Sequence, residues 1–296
     1  MLIHIGYHKT GTTWLQNRFF PSHPEFAPAI NSARVWRSLI EPNALVFDPD
    51  ECRTILTGGD SADTKVDVIS AERLSGNPHS GGYDSRQTAD RLLQIFPNAK
   101  VLIVLREQAG MLNSLYRQYV RMGGMCPLAD YLSPIRDGRM PLFRYEHLQY
   151  HRLVHHYQQL FDKENVCILP YELLRHDPEL FAARICTFAG VNPLAPDPAP
   201  QVIARSSCDF VTAIKSRVNR LHGGDSLHPV KPPMPWLTGS LLKLADRLND
   251  IEAIQNIDLR YGERCETFAK GLYEGSNREL QSLVDFDLSK LGYALG

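Results

Sequence analysis

The chain has 296 residues, long enough for a substantial buried core, and its 43% hydrophobic and 22% charged content is that of an ordinary globular protein. A formal net charge of −1 gives no bulk attraction for nucleic acid, so any anion site has to be built from local charge. No apolar run approaches the roughly 20 residues that span a bilayer, "MLIHIG" lacks the basic start and cleavage site of a signal peptide, and six cysteines (52, 126, 167, 186, 208 and 265) form no C-x-x-C pair, so a cytoplasmic protein with reduced thiols and no transmembrane segment is expected.

In chain order, "LIHIG" is a short β-branched run ending at Gly6, and "TTWLQNRFF" follows with helical spacing. "VDVIS" at 66–70, "KVLIVL" at 100–105 and "NVCILPY" at 165–171 are nearly continuous apolar runs, as parallel strands buried on both faces require. "SRQTADRLLQIF", "QAGMLNSLYRQYVRM" and "RLVHHYQQLF" read as helices between them, so the expected class is α/β with a mainly parallel central sheet flanked by helices. From about 192 to 236 the chain is proline-rich and reads as loops and short helices around the same core. Residues 1–296 are therefore taken as a single domain with a variable region at about 192–260. The stretch from Arg260 to Tyr293 reads as helical. Ligands of such sheets sit beyond the carboxyl ends of the strands, which directs attention to the residues just after each one.

The first such segment is "IGYHKTGTTW". Gly6 and Gly11 keep the spacing of a P-loop, and Thr13 stands where its terminal Ser/Thr belongs, but Thr12 occupies the lysine position and the lysine, Lys9, lies before Gly11. A turn feeding a helix presents free N–H groups and the positive end of the helix dipole. Lys9 adds a full charge, and Thr12 and Thr13 add hydroxyls, an assembly suited to phosphate or sulfate. The plain alternative is a glycine turn after an edge strand. No strand ends in an Asp suited to holding Mg²⁺, because "VDVIS" runs into Ala71-Glu72 and "KVLIVL" into Arg106. Arg106 follows a buried strand, and Ser114 lies two turns into the next helix. The pair could cradle a phosphate, or Arg106 could simply pair with a carboxylate.

Together these segments resemble the sulfotransferases that use 3′-phosphoadenosine 5′-phosphosulfate (PAPS). Lys9, Thr10, Gly11, Thr12, Thr13 and Trp14 match the family's K-x-G-T-T-W loop for the 5′-phosphosulfate, and Arg106 and Ser114 match its strand-end Arg and helical Ser for the 3′-phosphate. "VCILPYELLRHDPELFAARICTFAGV" is similar to the family's strand, Tyr-Glu and helix segment, and "SNRELQSLVDFDLSKLGY" to the tail of many bacterial members; the resemblance covers most of 1–191 and about 273–293. It implies a P-loop NTPase-like fold, PAPS as sulfuryl donor with no metal required, and in-line transfer to a hydroxyl, with an amine as second choice. The acceptor would be a glycan, a glycolipid or a small metabolite. Tyr171 matches the tyrosine that contacts the adenine, and Trp14 is a second candidate for that contact, although both residues also suit ordinary packing.

The family usually has Arg-Asn-Pro where this chain has Arg106-Glu107-Gln108, and its basic loop containing Arg-Lys-Gly has no evident counterpart. Arg205, Lys215, Arg217 and Arg220 remain open as substitutes.

A hydroxyl acceptor benefits from a general base. Glu72, just past "VDVIS", is the first choice, with His79 and His8 as alternatives; the competing reading is a Glu72 paired with Arg73. His147, His151 and His155 have helical spacing but flank an apolar face, and read as a solvated helix edge rather than a metal site. A Mg-dependent kinase-like P-loop enzyme, or a non-catalytic nucleotide-binding protein of the same fold, are the alternative functions.

Overall fold

The structure is a computed structural model, and it describes residues 1–57, 65–135, 138, 141–194, 207–222 and 235–296. Four strands make its sheet: β1 (Leu2–His4), β2 (Val68–Ser70), β3 (Lys100–Leu105) and β4 (Val166–Pro170). They lie in the order β2-β1-β3-β4 and all pairings are parallel. Ile3 stands opposite Ile69 on one side and Val101 on the other, and Ile103 opposite Ile168. All four strands are those expected from the apolar runs. A fifth stretch escapes that reading: Phe26 and Ile30 bridge to Val66 and Ile69, covering the outer edge of β2 with too few residues to show a pattern.

Side chains alternate across the pleat, so each strand feeds two cores. Ile3, Ile69, Val101, Ile103 and Leu105 meet Leu92, Leu115, Val154 and Tyr157, carried by the helices Ser85–Ile95, Gln108–Arg121 and Tyr150–Phe161. Leu2, Val68, Leu102 and Val104 meet Leu15, Phe20, Phe181 and Ile185 on the opposite face. That face is covered by the helical stretch 12–22, π-wound over Leu15–Phe19, and by the helix Pro178–Ala189. Local signals set the limits of the latter: the Asp177 carboxylate accepts the Leu180 N–H, Pro178 opens it, and Gly190 closes it in the left-handed conformation.

Within the described part of the proline-rich region, 207–222, the chain forms the helix Asp209–Asn219, and the helix Pro235–Leu248 begins at its end. The first is tied across Gln108–Arg121 by an Arg117–Asp209 ion pair and by Asn219 Nδ2, which donates to the carbonyls of Val120 at 2.8 Å and Gly124 at 2.9 Å. The six cysteines are free thiols, and no helix of the described residues is long and apolar enough to cross a membrane.

Candidate active site

Every expected loop residue lies at the carboxyl end of β1, between the ends of β2 and β3. Gly11, at φ 90°, is the left-handed N-cap of the first helical turn, and a Cβ there would stand 2.6 Å from Leu174 Cδ2. Glycine is thus required both for the turn and for the close approach. Thr10 Oγ1 braces the turn by donating to the Tyr7 carbonyl at 2.5 Å. Thr12 is buried and its hydroxyl oxygen has no protein partner, while Thr13 is exposed. A buried hydroxyl left unsatisfied at a helix start has the chemistry of a ligand contact.

Lys9 also adopts a left-handed backbone, at φ 65°, uncommon for a side-chain-bearing residue. Both neighbouring strand ends hold its peptide. The Glu72 carboxylate accepts its N–H, and Arg106 Nη1 donates to its carbonyl at 3.2 Å. This clamp puts the Lys9 ammonium among Glu72, Arg106 and Arg121. Burial, then Arg121, lowers its pKa, with Glu72 acting in the opposite sense. Burial raises the Glu72 pKa above the ordinary 4.5, and Lys9 and Arg121 limit the rise. A carboxylate shifted upward in this way is a better proton acceptor near neutrality.

Arg106 lies over the Tyr171 ring at 5.1 Å, and its own carbonyl accepts Tyr150 OH at 2.7 Å. A Cβ on Gly110 would sit 3.6 Å from Arg106 Nη2, which places the guanidinium over the first turn of Gln108–Arg121. Ser114 is one turn on from Gly110, on the same face, and is half-buried. Arg106, Gly110, Tyr171, Glu172, Arg175 and Gly292 line a cleft of about 400 Å³. The C-terminal tail closes part of it, with Tyr293 OH donating to Glu172 Oε2 at 3.4 Å.

Residues 84–196 match the model of the sulfotransferase family. A crystal structure of a sulfotransferase from Alicyclobacillus acidocaldarius shares the fold, with a TM-score of 0.50 and 19% identity over 86% of this chain and 98% of that one. The sulfotransferase domains from the curacin biosynthetic pathway and from the Synechococcus PCC 7002 olefin synthase align with TM-scores of 0.43 and 0.42, 13% and 14% identity, over 100% and 91% of this chain and 98% and 94% of theirs. No curated protein sequence matches the chain. The matched segment takes in β3, Arg106, Ser114 and Tyr171 but begins after the Lys9 loop.

Several expected site residues stand elsewhere than anticipated. Trp14 is 3% exposed, stacked on Phe19 at 5.6 Å and edge-on to Phe181 at 6.4 Å, so its ring is committed to the core and not to an adenine. His79, an alternative base, is 4% exposed on the single turn Pro78–Ser80, with Nδ1 3.0 Å from Tyr131 OH. His8 is buried with Nε2 4.0 Å from Glu72 Oε2. Burial first, then His79, His147, Arg73 and Lys9, holds its pKa well below 6.5. Arg73 pairs with Asp84 at 2.6 Å and covers the Trp36 ring, which leaves Glu72 free of it.

The histidine edge also needs correction. His147 is buried on the turn Tyr145–Leu148, outside the helix, and His151 Nδ1 lies 2.7 Å from Ser276 Oγ; of the three only His155 is solvated. Among the described residues no group of three or more His, Cys, Asp or Glu is arranged to hold a metal ion.

Of the four proposed basic substitutes, Lys215 is taken up by Asp246 and Ser207, Arg220 donates to the Met125 carbonyl at 3.1 Å, Arg217 is exposed, and Arg205 lies outside the described residues. Two cations that the sequence reading passed over stand at the site instead. Arg121 acts on both Lys9 and Glu72, and Arg175 lines the Arg106 cleft. Arg121 carried a signal, since it repeats the Gly110 and Ser114 face two turns further along the helix. Arg175 carried none, one turn past Tyr171 on a short helix.

Proposed function

We propose that the protein is a sulfotransferase that moves a sulfuryl group from PAPS to a hydroxyl of a glycan, glycolipid or small metabolite. The observation that carries this reading is the clamped loop, in which a buried and unpartnered Thr12 hydroxyl lies in the same turn as Lys9, whose charge is felt by a strand-end carboxylate and a strand-end guanidinium. The residues present fit the donor. Thr12, Thr13 and the first-turn amides suit the 5′-phosphosulfate. Arg106, Ser114 and Arg175 suit the 3′-phosphate, and the Tyr171 ring beneath Arg106 offers a face for the base.

In the reaction, the acceptor oxygen forms a bond to sulfur as the sulfur–oxygen bond to the 5′-phosphate breaks, and 3′,5′-adenosine bisphosphate leaves. Glu72 takes the acceptor proton. Lys9 faces the charge that develops on the leaving phosphate, where a fixed cation counts most in a water-poor site. His8, held neutral by burial and by its cationic neighbours, leaves Glu72 without a competing positive charge at 4.0 Å. The six free thiols suit a cytoplasmic setting.

The test is thermal and chemical stabilisation by 3′,5′-adenosine bisphosphate without Mg²⁺. At 100 times Kd the ligand should add about 2.7 kcal/mol. Stabilisation by Mg·ATP and not by the bisphosphate would transfer the loop to kinase-type chemistry. Bisphosphate binding with no sulfuryl transfer to any hydroxyl or amine acceptor would leave a binding protein.

A further inference from the structure

A second cavity, of about 530 Å³, lies where the helices Ser85–Ile95 and Tyr150–Phe161 begin. That size is typical of a small-molecule site. Its walls carry Arg86, Arg144, Arg152, His147 and His156 against a single carboxylate, Glu146. Asp90, just outside the lining, sits 3.0 Å from His156 and 3.9 Å from Arg86. Neither helix has an acidic residue in its first turn or a side-chain cap, so both amide-bearing ends add to one positive field. Asp84, which precedes the first helix, is engaged elsewhere, with Arg73 at 2.6 Å and the Asn77 amide at 3.2 Å.

His147 provides an independent observation. It lines the cavity, is 8% exposed, and its Nε2 has no partner. The surroundings are built rather than loose. The His147 ring packs on Tyr7 at 5.1 Å, and Gly82, at φ 64°, passes so close that any side chain would collide with the imidazole. Gln149 Oε1 accepts from Arg152 Nε at 2.7 Å, which aims that guanidinium, and Glu146 accepts from Arg144 at 3.1 Å. Tyr83, 68% exposed on the rim, offers an uncovered aromatic face. The cavity also backs onto the donor loop. Tyr7, in its wall, is two residues before Lys9.

We propose that this cavity binds the anionic group, a carboxylate or a sulfate or phosphate ester, of a ring-bearing sulfuryl acceptor. Arg144 and Arg152 grip the oxyanion, His147 forms the floor, and the ring lies against Tyr83. The acceptor role rests on the sulfotransferase reading above, whereas the anion site does not.

Calorimetric titration of the full chain tests it with glucose 6-sulfate, glucose 6-phosphate, glucuronate and, as the uncharged control, glucose. At least one anionic sugar should bind and glucose should not, and the tightest arm identifies the anion. Replacing both exposed arginines (Arg144→Gln with Arg152→Gln) should weaken that binding by about tenfold to a hundredfold, the effect of losing charge-assisted contacts. Affinity for 3′,5′-adenosine bisphosphate and the thermal midpoint should be unchanged in this variant. Saturating bisphosphate should leave sugar binding intact in the wild type. Displacement of the sugar by the bisphosphate, equal binding to the arginine variant, or no binding at millimolar concentration would each overturn the proposal. Arginine-dependent sugar binding by a chain that does not bind the bisphosphate would keep the anion site and remove its acceptor role.

Discussion

At the scale of single residues, the loop's reading turns on Lys9, Arg106 and Glu72, and each has a separable expected effect. Lys9→Ala removes the cation proposed to face the leaving phosphate and should lower kcat by about 10²–10³-fold, the usual cost of one electrostatic stabiliser; turnover near normal would mean that the ammonium faces elsewhere. Arg106→Ala should weaken nucleotides bearing a 3′-phosphate by about 1–3 kcal/mol in competition binding, and analogues lacking that phosphate far less. Equal losses would reduce Arg106 to its bond with the Lys9 carbonyl. Glu72 has two roles to separate, because its carboxylate also holds the Lys9 N–H. Glu72→Gln keeps an acceptor oxygen for that amide and loses only the proton acceptor, so kcat should fall by about 10²–10⁴-fold with donor affinity unchanged. The wild-type rate should show an acidic limb above 4.5, because burial raises this carboxyl, and the variant should lack it. A few-fold change in kcat would reassign Glu72 to the clamp alone and make His8 the next residue to replace. The placement of Lys9, Glu72 and Arg106 just past strand ends, and of Ser114 on the helix that follows, was legible in the sequence because the apolar runs and the helical spacing fix it. Trp14 was misjudged because a motif position says nothing about burial, and here the second core claims the ring.

At the scale of elements, strands and long helices were readable because buried parallel strands are continuous apolar runs and the flanking helices carry one apolar stripe. The unreadable parts were those fixed by tertiary contact. The turn that buries His147 is one such part. Another is the fifth edge segment at Phe26 and Ile30. The start of Gln108–Arg121 shows how a departure from the family pattern is absorbed. Gln108 stands at the proline position, and Glu107 before it is the N-cap, with Oε1 accepting the Ala109 N–H at 2.5 Å and Oε2 the Gly110 N–H at 2.8 Å. Its own N–H donates to Glu172 Oε1 at 3.0 Å, joining the starts of two helices beside Arg106. Glu107→Ala should therefore cost about 0.5–2 kcal/mol of stability in urea unfolding. It should also loosen 3′-phosphate binding, since Arg106 precedes the cap directly. Unchanged stability would show that Gln108, bonded to Asn277 at 2.6 Å, fixes the helix start alone.

At the scale of the whole molecule, the carboxyl end of the sheet concentrates histidines that the fold keeps neutral. His4, His8, His79 and His147 are all buried. Burial lowers the pKa of His4 to about 3 and of His79 and His147 to about 4, from 6.5, and holds His8 well below its usual range. A histidine with a depressed folded pKa binds its proton more readily in the unfolded chain. Its contribution is therefore complete above pH 6.5 and is lost as pH falls from there toward 4. At about 1.4 kcal/mol per pH unit, His79 and His147 should each withdraw about 2 kcal/mol by pH 5. Glu72 and Glu172 act with the opposite sign, because burial raises both and the native state then binds their protons first. That compensation begins nearer the carboxylate range, so the interval from pH 6.5 to 5.5 isolates the histidines. Urea midpoints should fall steeply across this interval, with proton uptake on unfolding. His147→Asn, which removes one buried titrating group, should flatten the slope by one proton's share even though the variant is less stable at pH 7.5. A flat profile from pH 7.5 to 5.5 would mean that these rings reach solvent in the native state. If the slope is present, the same burial that makes acid unfold the protein is what keeps His8 uncharged beside Glu72, so the molecule's acid limit and the proposed base's readiness to take a proton have one physical origin.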